Sequence, residues 1–259
     1  MRIIVSMGRG GTGKKSFVAL MTKYLIQGGG TPILLIDADP DQSLGDFLGV
    51  DLYAEGEKTI SELLIETFLE SGGTTVGVPP WDRIEWKIWE PGLYEGENFD
   101  LVAIGPKWVE GCYCLPNAAL KRVTEHLVKP YRNVIVDSPA GLEHLGRATV
   151  KGFDVLLCVV DPGAQSIETA ERINRLAKYI NVKEVLAVGS KVTSSSDERF
   201  IEKSASEIGL EVIGMVPFDP EVLKADRMRV APIDLAPSSP AISAIKNLRD
   251  TLKARLGWS

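Results

Sequence analysis

Gly8-Arg9-Gly10-Gly11-Thr12-Gly13-Lys14-Lys15-Ser16 follows the apolar run Ile3-Ile4-Val5 and precedes an amphipathic stretch. The order strand, glycine loop, helix predicts a backbone loop that wraps an anion at a sheet edge. Glycines at 8, 10, 11 and 13 let successive N–H groups turn onto one anion, and the helix opening near Lys14 adds the positive end of its dipole. Lys14 is then placed to reach the β- and γ-phosphates of a nucleotide. The G-x-x-x-x-G-K part of the phosphate-loop pattern is complete, but the next position, which calls for a Ser or Thr hydroxyl to ligate Mg²⁺, holds Lys15. Ser16 does not replace it, because one residue on a helix turns the side chain by about 100°. It remains able to touch an α-phosphate.

Working outward, Phe17, Leu20, Met21, Tyr24 and Leu25 recur at helical spacing, and Gly28-Gly29-Gly30 ends that helix. Pro32-Ile33-Leu34-Leu35-Ile36 reads as a second buried strand. It runs into Asp37-Ala38-Asp39-Pro40, two carboxylates at a strand's carboxyl end, where open α/β sheets bind ligands. Further unalternating apolar runs, at Leu101–Ile104, Val134–Val136, Val155–Val160, Val185–Val188 and Val212–Val216, have the character of parallel strands covered on both faces. Helical stretches at Asn117–Val128, Ser166–Tyr179 and Asp197–Ile208 alternate with them. A doubly wound α/β fold with a mostly parallel sheet follows.

Residues 71–99, with Trp81, Trp86 and Trp89 among Gly and Pro, show no clear period and read as an irregular insertion, as a short β-ribbon or as a lid. In the last stretch Ile242, Ile245, Leu248, Leu252 and Leu256 alternate with Lys246, Arg249, Lys253 and Arg255. A helix with this pattern covers a sheet face or lies on a membrane surface, and the first is the preferred reading.

The chain of 259 residues, 44% hydrophobic and 25% charged, is expected to form one domain, residues 1–259. Its net charge of −6, without a basic tract, argues against a nucleic-acid binder. The short apolar run before the glycine loop argues against a signal peptide or membrane span, so a cytoplasmic location is expected. Three cysteines are too few for a disulfide framework. Cys158, inside an apolar run, reads as core.

Val134-Ile135-Val136-Asp137 is an apolar strand ending in Asp, an arrangement suited to holding a water of a Mg²⁺ shell. Ser138-Pro139-Ala140-Gly141 then turns the chain toward the phosphate edge. In Gly111-Cys112-Tyr113-Cys114 the two thiolates cannot complete a tetrahedral site alone, and neither His126 nor His144 stands at a standard ligand spacing. Two chains would supply four sulfurs, a metal bridge across a two-fold axis. Two ordinary loop thiols would carry the same sequence.

The loop Gly8–Lys14 resembles the deviant Walker A loop of the MinD and nitrogenase-iron-protein class of dimeric ATPases. In that class the second loop position is a lysine that crosses to the partner's nucleotide, and here Arg9 keeps its charge. By the same resemblance Asp39 holds the switch I position that orients attacking water, and Asp137–Gly141 looks like switch II. The Cys-x-Cys, with Asp137–Arg147 and Asp39–Gly45, further resembles the CooC-type nickel-insertion ATPases, over most of the chain from the first strand to Pro217-Phe218-Asp219.

This resemblance implies an ATP-dependent homodimer that holds Ni²⁺ or Zn²⁺ between paired Cys112 and Cys114. Its client would be apo carbon monoxide dehydrogenase, or the related acetyl-CoA synthase. The implied nucleotide site comprises Gly8, Arg9, Gly10, Gly11, Thr12, Gly13, Lys14, Lys15, Ser16 and Pro217, with Arg9, Lys14, Asp39 and Asp137 in hydrolysis and ATP/ADP, with Mg²⁺, as cofactors. Lys15 departs from the pattern and predicts impaired Mg²⁺-dependent turnover. Ser190, where relatives carry an Asn before Lys to read adenine, departs at the base. An alternative places a [4Fe–4S] cluster between the same four cysteines, for electron or cluster transfer; another is a MinD-like positioning switch with its last helix on a membrane.

Overall fold

The computed structural model describes residues 2–70, 91–106, 121, 126–139, 154–180, 182–228, 230–235 and 238–256. Its strands are β1 (Arg2–Met7), β2 (Ile33–Asp37), β3 (Tyr94–Glu95), β4 (Asp100–Ala103), β5 (Asn133–Asp137), β6 (Val155–Val160), β7 (Val185–Val192) and β8 (Glu211–Pro217). They form one sheet in the order β3-β4-β2-β5-β1-β6-β7-β8. Every pairing is parallel except that of β3 with β4. Each long apolar run of the sequence thus became a strand. The second begins at Ile33 rather than Pro32, since proline brings no N–H to a central ladder.

Parallel strands need long crossovers, and helices supply them on both faces. These are α1 (Lys14–Gln27), α2 (Leu44–Leu48), α3 (Ile60–Glu70), α4 (Ala164–Tyr179), α5 (Ser195–Glu207), α6 (Pro220–Arg227) and α7 (Pro240–Leu256). Alternate residues of one strand face opposite layers. Ile3 and Val5 join the core beneath α3, α4 and α5, with Ile60, Ile173 and Ile201, while Ile4 joins the core beneath α1 and α7, with Leu20, Ile245 and Leu248. Cys158 is buried in the first of these cores, and burial raises its thiol pKa, so it stays a thiol.

The last helix covers the sheet. Ile242, Ile245, Leu248 and Leu252 are buried, and on its polar side Arg249 donates to the Tyr24 carbonyl at 3.1 Å and Arg255 pairs with Glu184 and Glu211. No helix among the described residues is long and apolar enough to cross a membrane. Of the insertion read at 71–99, residues 71–90 and all three tryptophans lie outside the described residues; β3, at its end, pairs antiparallel with β4 and forms one edge of the sheet.

The register brings the chemistry to one edge. Ser6 of β1 is level with Asp137 of β5, and Asp137 is level with Asp37 of β2. Backbone bonds tie this row together at the carboxyl edge: Ala38 N–H to the Asp137 carbonyl at 2.9 Å, Ile104 N–H to that of Asp37 at 2.8 Å, and Ser138 N–H to that of Ser6 at 3.1 Å.

Candidate functional site

The glycine loop leaves β1 and enters α1 through Gly13, whose φ of 86° is left-handed and suits glycine. No side chain caps α1 and its first turn holds no acidic residue. The first N–H groups of a helix lack intrahelical acceptors, so an anion is the natural complement to this end. The loop also lies hard against the sheet. A Cβ on Gly8 would sit 2.3 Å from the Val159 carbonyl oxygen of β6, so only glycine fits there.

Lys14 folds back over this loop. Its ammonium donates to the carbonyls of Gly8 and Arg9, each at 3.1 Å, leaving one of its three N–H donors for a phosphate. Burial lowers its pKa; the Asp137 and Asp39 carboxylates oppose that, and the Lys15 ammonium adds to it. Thr12 is buried and its hydroxyl bonds the Arg9 carbonyl at 3.0 Å, fixing the loop from within. The Arg9 side chain faces solvent.

The carboxylates divide by environment. Asp37 is fully buried and spends both oxygens on backbone, Oδ1 accepting from Asp39 N–H at 3.0 Å and Oδ2 from Leu44 N–H at 2.9 Å. Burial nevertheless raises its pKa to about 6. This carboxyl shapes the turn after β2 rather than facing a ligand. Asp39, two residues on, lines the cavity and pairs with Lys15, Nζ to Oδ2 at 3.2 Å. Asp137 is fully buried, and neither oxygen has a hydrogen-bond partner among the described residues. Burial and its neighbour Asp37 push its pKa well up.

These groups bound a cavity of about 750 Å³, lined by Gly10, Gly11, Gly13, Lys14, Lys15, Ser16 and Asp39 and also by Ser190, Lys191, Pro217, Phe218, Val222 and Leu223. That volume accommodates a nucleotide. The polar end carries the loop and the lysines, while the apolar end offers a surface for a base. Ser190 stands close by, its Oγ 3.4 Å from where a Gly13 Cβ would lie. Buried Asp219, which accepts from Glu221 N–H at 2.9 Å and from Ser239, anchors the turn that presents Phe218.

Of the residues picked out in the sequence, Gly10, Gly11, Gly13, Lys14, Lys15, Ser16, Asp39 and Pro217 meet on this cavity, whereas Gly8, Arg9 and Thr12 shape the loop beneath it. Cys112 and Cys114 lie outside the described residues, as does His144. No cluster of metal-ligating side chains occurs among the described ones. Two features escaped the sequence reading. Phe218, Val222 and Leu223 form the apolar wall, and an exposed Phe beside Pro217 was the available sign. The Lys15–Asp39 ion pair was the other: Lys15 stood out as a mismatch, but nothing in the spacing named its partner.

The residue types of this loop fit nucleotide; the donor set does not fit Mg²⁺ in the ordinary phosphate-loop manner. An ammonium has no lone pair to offer a metal. A divalent ion about 4 Å from it would meet repulsion on the order of 8 kcal/mol at an effective dielectric of about 20, before Asp39 offsets part of that. Burial tends to lower the Lys15 pKa, but Asp39, Asp37 and Asp137 outweigh it, so Lys15 keeps its charge above the ordinary lysine range.

The glycine loop, the acidic strand ends and the sheet order coincide with a known domain: residues 3–227 match the CobQ/CobB/MinD/ParA nucleotide binding domain. The chain belongs to that family. Among its relatives is an "Uncharacterized ATP-binding protein" of Methanocaldococcus jannaschii, 35% identical over 228 residues, covering 86% of this chain and 87% of the relative. The carbon monoxide dehydrogenase accessory protein CooC of Rhodospirillum rubrum is 31% identical over 249 residues, 92% of this chain and 91% of that one. In fold, this CobQ/CobB/MinD/ParA domain superposes on the septum site-determining protein MinD of Pyrococcus horikoshii, in complex with Mg-ADP, with a TM-score of 0.74 at 19% identity over 99% and 97% of the two chains.

Proposed function

We propose that the chain is an ATP-dependent metallochaperone that delivers nickel to carbon monoxide dehydrogenase or the related acetyl-CoA synthase. The observation that carries this reading is the near full-length similarity to CooC, joined to Cys112-x-Cys114, a pair able to bind soft metal only when a second chain brings its own. Residues 1–259 act as one ATPase domain in a cytoplasmic homodimer. The metal is cargo, Ni²⁺ or Zn²⁺, held by four thiolates across the two-fold axis.

In this reading the loop amides and Lys14 hold the phosphates. Arg9, exposed on the loop, reaches the partner's nucleotide, so that closure around ATP moves the paired cysteines. Asp39 positions the attacking water once Lys15 releases it. Asp137, the carboxylate that ends β5, has the strand-end position suited to holding a water of a Mg²⁺ shell. Because Lys15 stands where a metal-ligating hydroxyl belongs, turnover is slow.

Metal analysis of the anaerobically purified dimer, with and without ATP, tests the cargo. Stoichiometric Ni²⁺ or Zn²⁺ that disappears in the C112S/C114S double variant supports it; unchanged metal content in that variant overturns it. A broad visible iron–sulfur band would replace nickel by a [4Fe–4S] cluster and make the protein a cluster- or electron-transfer ATPase.

A further inference from the structure

We infer that Lys15 is a tethered counter-cation for the nucleotide's phosphates, so that this site binds nucleotide without a divalent metal. The inference rests on the nucleotide-binding part of the reading above and not on nickel delivery. Three observations carry it. Lys14 and Lys15, both in the first turn of α1, both line the cavity, and the Lys15 charge is felt at the Lys14 ammonium. Its Nζ is held 3.2 Å from Asp39 Oδ2, both side chains being about one-fifth exposed, at 19% and 18%, and it has two further N–H donors. Finally, the position is the one from which a hydroxyl would otherwise ligate the metal, so this chain carries a cation in place of a metal ligand.

An ammonium brings one positive charge where Mg²⁺ brings two, but it is covalently held and needs no recruitment. It also makes a choice a metal does not. In the structure Asp39 holds the ammonium. An arriving phosphate, with more charge and more acceptor oxygens than a single carboxylate, draws Nζ across and leaves Asp39 free at the mouth of the site. Nucleotide occupancy is thereby reported on the loop after β2 by exchange of one ion-pair partner. That loop already depends on Asp37, which accepts the N–H groups of Asp39 and Leu44.

The test is calorimetric titration of the whole chain with ATP and with ADP, in excess Mg²⁺ and in excess EDTA. The wild type is expected to bind with dissociation constants within about threefold of each other in the two buffers, whereas Lys15→Thr loses about tenfold or more in EDTA. Lys15→Arg, which keeps the cation, should remain metal-independent, and Lys15→Met, which keeps the stem without the charge, should weaken in EDTA like Lys15→Thr and serves if the Thr variant does not fold. Wild-type binding that weakens about tenfold or more in EDTA overturns the inference and leaves the nucleotide site standing. No binding in either buffer overturns both.

Discussion

Two helices start at the same carboxyl edge of the sheet and begin in opposite ways. The helix α5 is closed by its own sequence. Ser194 Oγ accepts from Asp197 N–H at 3.3 Å, and Asp197 returns a bond to Ser194 N–H at 3.1 Å and holds Thr193 as well, with Glu198 adding negative charge in the first turn. Such a box satisfies the orphan donors and complements the dipole. The helix α1 does the reverse. It has a left-handed glycine at its cap, no capping side chain, and Lys14 and Lys15 in its first turn, where cations are disfavoured. The start of α5 is completed by its own chain, whereas that of α1 is left positive and lines the cavity.

The contrast breaks most readily at Lys14. Lys14→Ala should weaken ATP binding by about a hundredfold or more, as expected for a charge-assisted contact to phosphate. Its stability without nucleotide, measured by urea unfolding, should change by no more than about 1 kcal/mol, because the two lost carbonyl bonds are offset by relief of a buried cation at a positive helix end. A large stability loss with unchanged affinity would make α1 as structural as α5.

Next comes Lys15→Ser, which restores a hydroxyl beside the phosphates. Steady-state hydrolysis in Mg²⁺ should rise by about tenfold, and equal turnover in the two proteins would show that Lys15 does not limit the reaction.

A third comparison uses pH. At the open site Asp37, raised to about 6, and Asp137, raised well above the usual range, bind more protons folded than unfolded. Their burden is absent below the unfolded pKa and grows as pH rises through the folded one, so nucleotide-free protein should gain stability as pH falls from neutral through about 6. Asp197 at the closed end has its pKa lowered, chiefly by the Thr193 hydroxyl, so its contribution holds above the unfolded carboxylate range and is lost only in stronger acid. Thermal melts across pH should show the first trend flattened in Asp137→Asn. An unaltered slope would mean that Asp137 binds no more protons in the folded protein than in the unfolded one.

The smallest effect belongs to the closed end. Ser194→Ala should cost about 1 kcal/mol of stability and leave nucleotide affinity unchanged.

The sequence disclosed what depends on local order. The run Ile3-Ile4-Val5, the glycines and Lys14 sit within a few residues of one another, and their geometry is fixed by backbone conformation alone. Asp137 was legible because an apolar strand ending in Asp needs only a sheet to place it. What stayed hidden depends on distance in space. Asp37 and Asp39 read alike as strand-end carboxylates, yet the turn to Leu44 uses up the first and leaves the second to Lys15. The apolar wall of Phe218 and Leu223 faces the loop only because β8 lies beyond β7 in the sheet order, which no spacing reveals. The strand at Tyr94–Glu95 was equally illegible, being two residues long and fixed by its antiparallel partner.

The close approach of Gly8 to the Val159 carbonyl has a consequence for how binding energy is used. The phosphate loop has a floor made of another strand's backbone, so its height above the sheet is set by β6 and not by what it holds. Much of the ordering a free glycine loop would undergo on meeting an anion is completed during folding, and affinity need not be lost to it. The moving parts are side chains on the rim, and the loop itself is the fixed point against which they move.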